Sequence, residues 1–196
     1  LAGKSTFITK LVAHFEGMGR DVLLFREPGG SKFGETMRPL LKGWDLTDFA
    51  RALGFNAVRA QNVEQIITPA LAAGRVVIAD RYFDSTDVYQ VEMGGMNAAM
   101  RQAVASVHAA MRQPDLTIFL LPSVELVTAR SIERRSGETD VFEAVPAADV
   151  VAYRAVATRA RETGRPAVYI ENDEGTQDRL LELFLAATSA NASMAA

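Results

Sequence analysis

The sequence predicts an α/β fold, a parallel sheet flanked by helices. Three observations carry this. Strand and helix patterns alternate along the whole chain. The strand segments are short, apolar and non-alternating: Val22-Leu23-Leu24-Phe25, Val76-Val77-Ile78-Ala79, Leu116–Leu121 and Ala167–Ile170. Such runs suit strands covered on both faces. Finally, Gly3-Lys4-Ser5-Thr6 opens a helix at the very start. Parallel neighbours need long crossovers, usually helical, so the alternation selects a parallel sheet.

Gly3-Lys4-Ser5-Thr6 reads as the back half of a phosphate-binding loop, G-x-x-x-x-G-K-S/T. In that loop backbone N–H groups curl around an anion, Lys reaches the β/γ-phosphates and the Ser or Thr hydroxyl holds Mg²⁺. The following helix aims its positive end at the same phosphates. Phe7, Ile8, Leu11, Val12 and Phe15 give this helix its apolar face, and Gly17 and Gly19 end it. The front of the motif and the strand feeding it would lie before Leu1, and the chain does not begin with Met. The expectation is therefore a longer protein whose sheet has five strands, four of them within this sequence.

At 196 residues the chain suits one domain, read here as residues 1–188, with a small-residue tail at 189–196 expected to be disordered. A net charge of −3 gives no basic excess to suggest nucleic-acid binding. The absence of Cys excludes disulfides and thiolate metal sites. No apolar run approaches the roughly 18 residues of a membrane span. A cytoplasmic location is the expectation.

Along the chain, the first apolar strand ends in Arg26-Glu27-Pro28-Gly29-Gly30, a forced loop at a strand's carboxyl end. In open α/β sheets ligands bind at that edge. A short helix follows over about Phe33–Leu41, and Trp44 reads as a packing residue. Asp45–Ala73 reads as one long helix bent near Pro69. It carries Phe55 and Arg59 four residues apart and so on one face, where an aromatic plate and a guanidinium could hold a nucleobase. The strongest strand ends in Asp80, the position of a Mg²⁺-tuning acid, followed by Arg81 and Tyr82. Ser85, Thr86, Tyr89 and Gln90 form a polar set at helical spacing. Helices are expected over about Asn97–Arg112, from Ser123 to Arg134-Arg135, over Ala147–Thr163 and over Thr176–Ala187. Arg130, Arg134 and Arg135 beside the polar, Gly-containing segment 136–140 suggest a closing lid at about residues 131–143.

Taken in order, Gly3-Lys4-Ser5-Thr6, Arg26-Glu27-Pro28-Gly29-Gly30, Phe55-x-x-x-Arg59-Ala60-Gln61, Asp80-Arg81-Tyr82-x-x-Ser85-Thr86-x-x-Tyr89-Gln90, Pro114-Asp115-Leu116-Thr117 and Asp140-x-Phe142-Glu143 resemble the thymidylate kinases over nearly the whole chain. The resemblance implies a three-layer P-loop NTPase fold and transfer of the γ-phosphoryl group of ATP to dTMP. It implies that Gly3, Lys4, Ser5 and Thr6 hold ATP, and that Ser5 and Asp80 serve Mg²⁺. Substrate binding would fall to Arg26, Pro28, Phe55, Arg59, Arg81, Thr86, Tyr89 and Gln90. The catalytic residues implied are Lys4, Arg81 and one of Arg134 and Arg135. The implied partners are nucleotides and a second copy of the chain in a homodimer. Val91-Glu92 after Tyr-Gln, and Val58, depart from the family pattern around the base pocket. Acceptors such as dUMP or a 5-substituted dUMP therefore stay open, as does a degenerate, non-catalytic nucleotide-binding homologue.

Overall fold

The structure, a computed structural model, describes residues 2–134, 146–172 and 179–194. The chain divides into two compact units, one of Leu1–Leu11 with Pro114–Ala196, the other of Val12–Gln113. Helix α1 (Lys4–Gly17) begins in the first and ends in the second.

The unit of residues 12–113 holds β1 (Val22–Arg26), α2 (Lys32–Gly43), α3 (Asp48–Asn62), α4 (Thr68–Ala72), β2 (Val76–Asp80), α5 (Phe83–Thr86) and α6 (Ala98–Ala110). Strands β1 and β2 pair in parallel, Val22 opposite Val76 through to Arg26 opposite Asp80. Polar caps fix three of the helix starts. Ser31, Thr47 and Asn97 each accept a hydrogen bond from the backbone N–H three residues on, the usual way of satisfying a first-turn donor. Between α6 and α3, Ala52, Met96 and Val104 form a buried cluster, with Phe49, Val91 and Met100 packed against it.

The predicted helix over 45–73 is present but not uniform. Residues Val63–Ile67 form a π turn between α3 and α4. Pro69 explains it: a proline lacks the N–H that would bond four residues back, and its ring crowds that carbonyl. A second π turn, Asp87–Glu92, follows α5.

The other unit holds β3 (Thr117–Pro122), α7 (Val124–Arg134), α8 (Pro146–Glu162), β4 (Ala167–Asn172) and α9 (Leu180–Met194). Strands β3 and β4 pair in parallel, Thr117 opposite Ala167 through to Pro122 opposite Asn172. Phe7 and Phe184, both buried, meet edge to face at 6.0 Å. Helix α9 runs past the Ala187 expected as its end to Met194, so residues 189–194 of the stretch expected as a disordered tail are helical.

The architecture is thus α/β with short parallel strands. Among the described residues the strands form two sheets, β1-β2 and β3-β4, and not one continuous sheet. Two strands leave more surface open than a wide sheet does. Leu24 in β1 is 47% exposed, where the apolar run suggests burial on both faces. Trp44 corrects the sequence reading too. It follows the last residue of α2 and is 61% exposed, because its backbone N–H caps the helix while its ring projects outward. Most of the expected lid, including Arg135, lies outside the described residues.

Candidate functional site: a glycine-led helix start and a buried polar cluster

In the first unit, Gly3 adopts φ +75° and leads directly into α1. Only glycine takes that left-handed turn without strain. Its carbonyl accepts the N–H of Phe7, so Lys4, Ser5 and Thr6 form the first turn, with Ser5 and Thr6 exposed. First-turn amides have no partner within their own helix and favour an anion. The approach to the turn is tied down by Asn172, a fully buried residue at the carboxyl end of β4. Its side-chain amide donates to the Ala2 carbonyl at 2.6 Å.

In the second unit, the carboxyl ends of β1 and β2 lie side by side. Arg26 stands opposite Asp80, and the Glu27 N–H donates to the Asp80 carbonyl at 3.1 Å. Arg26 is exposed, whereas Glu27 is buried. The Glu27–Pro28 peptide is cis. The loop that follows is fastened from three directions. Arg38 of α2 donates to the Pro28 carbonyl, Asn62 of α3 donates to the Gly29 carbonyl at 2.9 Å, and the Gly30 N–H donates to Glu35 at 2.9 Å.

Arg59 lies at the centre of this unit's polar cluster and is 2% exposed. Its Nε donates to Glu27 Oε2 at 2.8 Å, and Nη2 approaches the same oxygen at 2.7 Å. Nη1 donates to Asn56 Oδ1 at 2.7 Å, and Nη2 to Thr86 Oγ1 at 3.3 Å. The guanidinium carbon sits 5.0 Å from the centre of the Tyr82 ring. Burial pushes the Glu27 carboxyl above its ordinary range, against the opposing pull of Arg59. Burial, reinforced by the Glu27 charge, raises the Tyr82 phenol to about 12. The Tyr82 hydroxyl donates to the Arg112 carbonyl at 3.0 Å.

Of the other residues expected in substrate binding, Thr86 and Gln90 are buried and Pro28, Phe55 and Tyr89 are half-buried. Phe55 lies one turn before Arg59 on α3. Arg81 has φ +75°, a left-handed backbone rare for a residue with a side chain. Its guanidinium lies 5.5 Å from the Tyr89 ring centre. Arg134 ends α7. Glu27, Asn56 and Asn62 were not singled out as site residues in the sequence. All three bond to a residue or loop that was.

The sequence matches the family model for thymidylate kinase over residues 1–174. The chain belongs to the thymidylate kinase family. It is 40% identical over 177 residues to a thymidylate kinase of Cereibacter sphaeroides, covering 85% of this chain and 81% of that one. It is 44% identical over 147 residues to one of Dinoroseobacter shibae, covering 72% and 69%. A thymidylate kinase of Solidesulfovibrio magneticus is 42% identical over 151 residues, covering 73% and 72%.

For a thymidylate kinase family member the donor set can be tested against Mg²⁺. Among the described residues no group of three or more His, Cys, Asp or Glu side chains could cage a metal. The Mg²⁺ of phosphoryl transfer needs no cage, since it takes one or two protein oxygens and completes its shell with phosphates and water. The exposed Ser5 hydroxyl and the Asp80 carboxylate are oxygen donors of that kind. No described helix is long and apolar enough to cross a membrane.

Proposed function

We propose that this chain transfers the γ-phosphoryl group of ATP to dTMP, giving dTDP and ADP. The observation that carries the reading is the buried Arg59–Thr86 cluster, in a chain whose relatives are named for thymidylate. Gly3, Lys4, Ser5 and Thr6 hold the ATP phosphates. Arg26 and Arg81 hold the acceptor phosphate, Pro28 lines the acceptor site, Phe55 stacks on the base, and Arg59, Thr86 and Gln90 read its edge beside Tyr89. Arg134 or Arg135 brings positive charge from the lid. Ser5 and Asp80 would hold Mg²⁺, which neutralises phosphate charge when bound. No general base is assigned, since phosphoryl transfer runs mainly on positioning and charge stabilisation.

The same reading takes the fold as a three-layer P-loop NTPase with five strands. It takes residues 1–188 as one kinase domain with its lid at about 131–143. The protein would act in the cytoplasm as a homodimer, without nucleic-acid or membrane partners. Val58 and Val91-Glu92 lie on the elements that carry Arg59 and Gln90, which keeps dUMP or a 5-substituted dUMP as a second acceptor class. ADP release measured with dTMP, dUMP, dCMP and dGMP in turn tests this. The expected order places dTMP first by kcat/KM. A chain active only on another nucleotide, or on none, would overturn it.

A further inference from the structure

We infer that Glu27 is the positioning residue for Arg59, and through it sets which acceptor bases this site accepts. The inference rests on the reading of Arg59 as a base-edge residue given above.

An arginine presents donors only, in a fixed planar fork. Where the fork points is decided by what holds its Nε side. In this chain that side is held by one oxygen of Glu27, which accepts the Nε–H at 2.8 Å and lies 2.7 Å from Nη2. Held so, Nη2 donates to Thr86 and Nη1 to Asn56. Among the described residues no acceptor takes the second Nη1 hydrogen. A buried donor seeks an acceptor, and the ring carbonyl of a thymine or uracil supplies one. Cytosine carries an exocyclic amine in place of the C4 carbonyl of thymine and uracil, so at that edge donor would meet donor. Sites built on buried hydrogen bonds discriminate strongly against a mismatched partner.

Glu27 is suited to this task by its burial. At 4% exposure its carboxylate is not screened by water, and it lies in the loop fastened by Arg38, Asn62 and Glu35. Glu27 touches no base in this scheme. It acts by fixing the guanidinium from a loop 32 residues away in sequence.

The test is Glu27→Gln, which keeps the shape and removes the charge, measured alone and combined with Arg59→Gln. The readouts are KM and kcat for dTMP and dCMP, KM for ATP, and Tm. Because burial already disfavours the charged carboxyl, the neutral isostere is expected to fold. The expected result is a rise of roughly tenfold in KM for dTMP and a similar fall in dTMP-over-dCMP preference, the scale of one misaligned charge-assisted hydrogen bond. KM for ATP should stay within about twofold, and Glu27→Gln should add nothing further in the Arg59→Gln background. The inference is overturned if Glu27→Gln leaves dTMP KM and preference unchanged. It is equally overturned if its effect persists in full without Arg59, or if the variant does not fold, since Glu27 would then serve structure alone. Absence of dTMP turnover in the unmodified chain would instead sink the proposed function. The cycle would then be read on whichever nucleotide that chain phosphorylates, including its preference against dCMP.

Discussion

Arg59 grips Glu27 by a single oxygen: Nε and Nη2 converge on Oε2 at 2.8 and 2.7 Å, while Oε1 has no hydrogen-bond partner among the described residues. Burial outweighs the ion pair and holds the carboxyl above its ordinary value of 4.5. A consequence for stability follows by linkage. Between the ordinary and the raised pKa, the folded chain keeps a proton that the unfolded chain has released. Stability from this group is therefore present below the ordinary value and falls as pH rises through that window. Glu27→Gln lacks this proton. Urea melts of both proteins across pH should show the unmodified chain losing ground to the variant as pH rises above about 4.5. A difference that is flat, or of opposite slope, would contradict the assignment.

Arg81 combines a strained backbone with the role proposed for it in the acceptor site. At φ +75° any side chain carries a cost of about 1–2 kcal/mol that glycine avoids. Arg81→Ala keeps the strain and loses the guanidinium; Arg81→Gly loses both. Both variants should drop kcat/KM for dTMP by roughly two orders of magnitude, about 3 kcal/mol. The Gly variant should be the more stable of the two by about 1 kcal/mol. Equal melting temperatures would remove the strain argument, and near-normal activity in either would remove the role.

The elements were readable because their signals are local. Ser123 marks a helix start in the sequence and accepts the Leu126 N–H; Ser31, Thr47 and Asn97 cap α2, α3 and α6 in the same way. Apolar runs located all four described strands. That Phe55 and Arg59 share a helix face followed from their spacing. That Arg59 is sealed inside by Glu27 did not, because the partner comes from a loop distant in sequence and periodicity reports only one helix at a time. No residue-type signal marks the left-handed turn at Arg81, since arginine is not a residue that usually takes it. Trp44 misled for the same reason: its type suggests burial, but its place just past a helix end decides otherwise.

Asn172 should matter for the nucleotide donor and not for the acceptor. Its buried amide holds the Ala2 carbonyl just ahead of Gly3. Asn172→Ala removes that bond, worth about 0.5–1.5 kcal/mol. KM for ATP should rise several-fold, with KM for dTMP little changed. Equal rises in both would point to a general loss of stability, which the melting temperature would reveal.

Phe55 separates two explanations for an aromatic residue on a helix. As a stacking plate for the acceptor base, its loss in Phe55→Ala should cost about 1–3 kcal/mol of dTMP binding and spare ATP. As a core residue, its loss should instead lower overall stability by about 3–5 kcal/mol with no selectivity between substrates. Its half-buried state fits a ring with one face in the protein. A variant that melts far lower yet binds dTMP normally would dismiss the stacking role.

Gly34 tests whether the acceptor loop must sit where it does. It lies in the first turn of α2, where alanine would ordinarily favour the helix by about 1 kcal/mol. A Cβ at this position, however, would fall 2.5 Å from the Gly29 carbonyl oxygen and 3.0 Å from Val58 Cγ1. Neither neighbour can yield cheaply. The Gly29 carbonyl is held by Asn62, and Val58 is 1% exposed in the core. Steric cost should therefore outweigh propensity, and Gly34→Ala should destabilise the chain by about 1–3 kcal/mol. The loop displaced carries Glu27 and Pro28, so KM for dTMP should rise while KM for ATP holds. Gly43→Ala is the control. It sits at the end of the same helix with nothing within 4 Å of a new Cβ, and should stay within about 0.5 kcal/mol of the parent. If Gly34→Ala proves as neutral as the control in both stability and dTMP KM, the loop is not held by this contact.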